Sequence, residues 1–117
     1  MAYSKAWQYL SNEDLDFQLA HQAAGLTHQE RLRIIRYLAN HKQATPSAMM
    51  RDSKLCLSSM SHHLKMLRDR YLVSSKGEGQ HVVYFLNPGV CEMLRDLITD
   101  LLDEAIGREN QRRDDAD

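Results

Sequence analysis

Apolar positions along the chain follow a helical period through most of its length and switch to a strand period once. Leu15, Leu19, Ala20 and Ala23 share one face of a helix expected from near Asn12 to about Ala24, with Trp7 and Leu10 just ahead of it. A second helix is signalled by Thr27 and Glu30, which have the spacing of a capping box. Leu32, Ile35 and Leu38 follow as its stripe, thickened by Ile34, while Arg31, Arg33 and Arg36 are expected to face away. Thr45-Pro46 opens a short third helix carrying Ala48, Met49 and Met50 and ending around Asp52 to Lys54, since proline suits the first helical position. A fourth starts near Cys56 and ends by Arg70, with Met60, Leu64 and Leu67 on its buried side.

The period then changes. Tyr71 to Lys76 and His81 to Leu86 are β-prone runs separated by Gly77-Glu78-Gly79-Gln80, which predicts a hairpin. Asn87-Pro88 is read as the cap of a last helix. There Val90, Leu94, Leu97 and Leu101 repeat at spacings of four and three, widened by Met93, Ile98, Leu102 and Ala105. This stripe is too broad for a small domain's own core, so a partner helix from a second copy is expected to cover part of it. The predicted fold is mainly α with a β-hairpin, in the order α-α-α-α-β-β-α, a winged helix-turn-helix whose last helix is expected to meet a second copy. Residues 1–106 are read as one domain and residues 107–117 as a polar tail that frays.

Composition narrows the class. The chain has 117 residues, 43% hydrophobic and 26% charged, as in an ordinary water-soluble domain. No apolar run approaches the length of a membrane span, and the amino-terminal residues lack the layout of a secretion signal, so a cytoplasmic protein is expected. The net charge of −1 conceals a gradient. From Thr27 to Leu86 ten bases face four acids, whereas the flanks together hold five bases and twelve acids. A basic middle suits a nucleic-acid surface, although charge alone fits solvated helix faces equally well.

The segment Leu55 to Arg70 separates the two readings. With Met60, Leu64 and Leu67 inward, the opposite face carries Ser58, Ser59, Ser61, His62 and Lys65. Short hydrogen-bonding groups near a helix start, with a cation further along, suit a helix laid in a major groove. Ser61 and His62 are helix neighbours that cannot face each other, and no acid is placed to orient the histidine, so the chain is not read as an enzyme.

Four stretches, Thr27 to Ile35, Ser58 to Arg68, Leu72 to Ser75 and Gly79 to Pro88, resemble the ArsR-type winged-helix repressors in order and spacing. The resemblance spans roughly residues 24–105. It implies a homodimer joined by the first and last helices, a recognition helix at Ser58 to Arg70, a wing near Lys76 to His81, and repression lifted by an effector. Metal ions are that family's best-known effectors, and here the sequence departs. Its cysteine-containing motif would fall near Thr45 to Ser47, which holds no cysteine, and its last-helix ligands at Pro88, Val90, Leu101 and Glu104, of which only Glu104 could bind a metal. No cofactor and no metal site are expected. The histidines, His21, His28, His41, His62, His63 and His81, are read as surface or packing residues, with His63 under the recognition helix.

The expected contacts with double-stranded DNA are Ser58, Ser59, Ser61 and His62 at bases and nearby phosphates, with Lys65, Arg68, Lys76, Gln80 and Thr45 positioning the backbone. Two recognition helices about 34 Å apart would enter successive major grooves of a partly palindromic operator. The dimer interface is expected at Leu15, Leu19, Val90, Leu94, Leu97, Ile98, Leu101 and Leu102. Cys56, where a helix starts, is the candidate redox residue, because a helix amino terminus favours thiolate; Cys91 is read as packing or dimer contact. Two alternatives stay open: a thiol-responsive repressor using Cys56, and a winged-helix module that binds protein rather than DNA. A small organic effector between the terminal helices is equally compatible with the residues.

Overall fold

The structure, a computed structural model, describes residues 9–116, so Trp7 lies outside the described residues. Helix α1 spans Asn12–Ala23, and the Ser11 hydroxyl caps it by accepting from the Asp14 N–H. A 3-10 turn at Ala24–Leu26 leads into α2, Gln29–His41. Helices α3, Pro46–Arg51, and α4, Leu57–Asp69, are followed by strands β1, Val73–Glu78, and β2, His81–Leu86, and by α5, Pro88–Ala116. The predicted fold class and order of elements therefore hold.

Helix α4 is the centre of the core. Met60, Leu64 and Leu67 expose at most 1% of their surface and pack with Ile34 and Leu38 of α2, Met49 of α3, Leu72 and Val73 at the start of the hairpin, and Leu94 of α5. Complete burial of each such side chain contributes about 1.5–3 kcal/mol. The chain leaves α4 through Tyr71, whose φ of +63° turns it back on itself. Leu72 N–H then donates to the Leu67 carbonyl and Tyr71 N–H to that of Arg68, the paired bonds of a Schellman ending.

The hairpin pairs from Val73 with Leu86 to Glu78 with His81, so only Gly79 and Gln80 form the loop, two residues shorter at its start than the glycine spacing suggested. Gly79 has φ +64°, which two-residue loops of this kind need at their first position. A third stretch joins the hairpin without being a strand: Ala44 and Tyr84 exchange two backbone hydrogen bonds, of 3.0 and 2.8 Å. The chain reaches Ala44 through a tight turn at Lys42, with φ +63° and ψ −53°, in which Gln43 N–H donates to the His41 carbonyl at 2.6 Å.

Several local expectations are corrected. The cap of α2 is His28, whose Nδ1 accepts from the Glu30 N–H, while the Thr27 hydroxyl donates backwards to the Ala24 carbonyl. The inner row of α2 is Arg31, Ile34 and Leu38, not Leu32, Ile35 and Leu38; Leu32 is 38% exposed and Arg31, expected outside, only 6%. The Asn87 side chain ties the base of the hairpin instead of the helix, accepting from Ser74 Oγ and donating to the Tyr71 carbonyl. The segment from Gly107, expected to fray, continues α5 as helix to Ala116. Arg108 pairs there with Glu104, and Arg112 and Arg113 with Glu109, at the three- and four-residue spacings that support an exposed helix.

Candidate nucleic-acid interface

Helices α3 and α4 form the compact unit from which the site is built. Thr45, expected at the DNA backbone, is the cap of α3 and accepts from the Ala48 N–H at 3.2 Å, with Pro46 in the first turn. On α4 the inner row is Met60, His63, Leu64 and Leu67. At 100° per residue the opposite side collects Ser58, His62, Lys65 and Asp69, with Ser61 and Arg68 along one edge, and all six are exposed. Ser59 sits on the flank, half-buried. The face predicted for DNA thus stands together on one side of one helix, with Ser59 at its margin.

Its electrostatics are adaptable. Lys65 Nζ lies 2.9 Å from Asp69 Oδ2, a bond that holds the Asp69 carboxyl below its ordinary range. Both partners are well exposed, so the pair is weak enough for the ammonium to exchange it for a phosphate. On the hairpin, Lys76 places its ammonium 5.8 Å from the centre of the Phe85 ring, and Gln80 occupies the loop. Both are exposed.

Cys56 is the residue immediately before α4, and it is exposed. Its Sγ lies 3.1 Å from Ser58 Oγ and 3.5 Å from Ser59 Oγ. Hydrogen bonding with the Ser58 side chain first, then with the Ser59 side chain and backbone, favours thiolate and lowers the thiol pKa to about 6. Cys91, half-buried in α5, is pushed the other way by burial. Both thiols are free.

The eight residues expected at a dimer interface separate into three groups. Leu94 and Leu97 are 5% exposed and close the core of the single chain, while Leu15, Leu19, Val90 and Ile98 are half-buried. Leu101 and Leu102 are 48% and 53% exposed, alongside Ile106 on the same helix and Phe17 on α1. Between α1 and α5 runs a groove of about 420 Å³ floored by Leu15, Leu19, Leu97 and Leu101 and rimmed by Asp16 and Asp100.

Two polar anchors beneath α4 escaped the sequence reading. Arg31 reaches the buried His63, and Arg70 Nη1 donates to His21 Nδ1 at 2.9 Å while His21 Nε2 faces the Asp69 carbonyl at 3.1 Å. A charged residue inside a helical pattern reads as solvent-facing, so only the expected burial of His63 hinted at them. Among the described residues no group of three histidine, cysteine or acidic side chains is placed to hold a metal. No helix there is long and apolar enough to cross a membrane.

A helix-turn-helix whose second helix is exposed along a polar face, followed by a two-stranded wing, defines the winged helix-turn-helix class. No protein-family profile and no curated sequence matches the chain. Among solved structures, its fold is similar to that of the homodimeric winged helix-turn-helix DNA-binding domain of an ArsR-family candidate from Mycobacterium bovis, at 24% identity and TM-score 0.64 over 89% of this chain and 92% of that one. An ArsR-like transcriptional regulator from Rhodococcus is similar at 24% identity and TM-score 0.65, over 88% and 92%. Reduced HlyU from Vibrio cholerae is similar at 26% identity and TM-score 0.62, over 73% and 90%. The chain thus has the fold seen in ArsR-family transcriptional regulators.

Proposed function

We propose that the protein is a DNA-binding transcriptional repressor that acts as a homodimer on a partly palindromic operator. The observation that carries this reading is the division of α4, one row locked in the core and the exposed side offering Ser58, Ser61, His62, Lys65 and Arg68 to solvent. Ser58, Ser59, Ser61 and His62 read base edges and adjacent phosphates; Lys65, Arg68, Lys76 and Gln80 hold the backbone, and Thr45 presents the start of α3 to it. The second copy covers the Leu101 and Leu102 side of α5 and the groove against α1, in keeping with the homodimeric domain of similar fold. The effector is not a metal at the sites usual in the resembled family. The test is selection of duplexes from a random pool, followed by titration of the best one at several salt concentrations. Failure to retain any duplex in low salt ends the proposal and favours a protein-binding winged helix.

A second reading adds a thiol switch to the same protein, favoured by the exposed Cys56 and its hydroxyl neighbours. Attack of the thiolate on hydrogen peroxide would break the O–O bond, form a sulfenic acid and release hydroxide, which takes a proton from solvent, adding bulk at the start of the recognition helix. Peroxide should then release bound DNA from the unmodified protein and not from Cys56→Ser. Release that persists in Cys56→Ser removes this reading.

A further inference from the structure

The guanidinium of Arg31 is buried, yet all four of its bonds go to neutral acceptors. Nε donates to the Gly25 carbonyl at 3.0 Å, and Nη2 to Thr27 Oγ1 at 3.0 Å and to the Ala24 carbonyl at 3.4 Å. Nη1 donates to Nδ1 of His63 at 3.2 Å. The first three acceptors belong to the turn between α1 and α2, whereas His63 lies on the inner face of α4, one residue from His62 of the exposed face. An arginine has no acceptor, so this geometry requires a bare Nδ1 and a ring proton on Nε2. The bond exists only while His63 is neutral.

We propose that Arg31 and His63 are positioning residues for the DNA-reading helix, a latch that holds α4 while the His63 ring is neutral and lets it go when the ring takes a proton. This rests on the DNA-binding reading above and adds to it a response to acidity. A protonated ring loses its acceptor and sets a second cation against a guanidinium that has no other way to turn.

The charged and titratable groups facing His63 are those of α4 and of the start of α2. The His28 ring lies 4.3 Å away, centre to centre, and that of His62 5.7 Å. Arg31 and Glu30 complete the set, and Glu30 is engaged with Arg33 at 3.4 Å. Burial, then His28, Arg31 and His62, hold His63 below its ordinary value of 6.5, and Glu30 opposes them only weakly. A folded value below the unfolded one means that the opened chain binds the proton first as pH falls. The contribution of the latch is therefore complete above about pH 6.5 and declines below it. Protonation of His62 acts in the opposite sense, because positive charge on the outer face strengthens attraction to phosphate. A loss of affinity on acidification hence points beneath the helix, to His63 or to His21, which receives Arg70 at the far end of α4, and His63→Gln tells the two apart.

The test compares the full chain with His63→Gln, whose amide oxygen can accept from Arg31 and cannot be protonated. Amide-exchange protection of α4 without DNA, and affinity for one duplex selected at neutral pH, are measured between about pH 7.5 and 5.5. The unmodified protein should lose protection in α4 before α5 and bind about tenfold more weakly at the acidic end, the worth of one hydrogen bond to a charged group. His63→Gln should change in neither respect. An equal loss in His63→Gln, or constant α4 protection in the unmodified protein, overturns the latch. Should His63→Gln not fold, ring NMR of the unmodified protein decides: a neutral Nε2–H ring at pH 6.5 supports the proposal, and a protonated ring or an Nδ1–H tautomer overturns it. If no duplex binds even at neutral pH, the DNA-binding reading fails while the exchange data still judge the latch.

Discussion

A Cβ on Gly25 would lie 2.7 Å from Leu72 Cδ1 and 3.4 Å from Leu67 Cδ2, two side chains with no room to retreat. The close approach lets the turn after α1 lie against α4, and it puts the Gly25 carbonyl where Arg31 Nε can reach it. Gly25→Ala is expected to destabilise the protein by about 1–3 kcal/mol through overpacking, read as a lower urea midpoint at unchanged slope. Cys56 differs from Cys91 in the same residue-level way, by its immediate neighbours. The thiolate is the nucleophile, so alkylation of Cys56 should rise with pH to a plateau just above its pKa of about 6, while Cys91 remains slow at neutral pH. Pulse labelling followed by peptide mass analysis checks both; equal rates for the two thiols at pH 7 would contradict the assignment.

Among the elements, the hairpin and α2 show opposite relations between local signal and final form. The wing needs a left-handed residue at one position, and Gly79 supplies it in the loop. Gly79→Val is expected to cost about 1–2 kcal/mol and to loosen the wing, seen as faster amide exchange at Lys76 and Val83, which pair across the strands. On α4, Lys65→Ala removes one cation from the face predicted to meet phosphate. It should weaken binding to every duplex and lower the slope of log affinity against log salt by about one unit. An unchanged slope would remove Lys65 from the interface. Helix α2 was legible as a helix, but its rotation was not. Ile34, Ile35 and Leu38 allow more than one inner row, and what selects the observed one is the set of carbonyls and the imidazole that receive Arg31. Those acceptors come from other elements, beyond the reach of a periodicity argument.

At the scale of the whole molecule the unbalanced feature is α5. Its first half packs into the core through Leu94 and Leu97; from Leu101 onward every described residue is exposed, and the molecule is 63 Å along its longest axis. Leu101, Leu102 and Ile106 on one exposed stretch of helix are what an unpaired dimerisation surface would present. Replacing Leu101 and Leu102 together by Glu should convert the protein to monomer in sedimentation velocity with its helical signal retained. Affinity for a two-half-site duplex should fall far more than affinity for one half-site, since a single subunit reaches only one groove segment. A double variant that remains dimeric would place the interface elsewhere.

By itself, the order of residues determined the elements, their succession and the polar face of α4, because helix period, strand alternation, proline at helix starts and glycine in a turn are local properties written along the chain. Tertiary structure alone decided which row of α2 turns inward, that His28 and not Thr27 caps it, that Ala44 joins the hairpin, and that a buried arginine meets a histidine on the inner face of α4. These depend on acceptors and surfaces brought together from distant positions, and no local pattern carries the energy of a contact that exists only once the chain has folded.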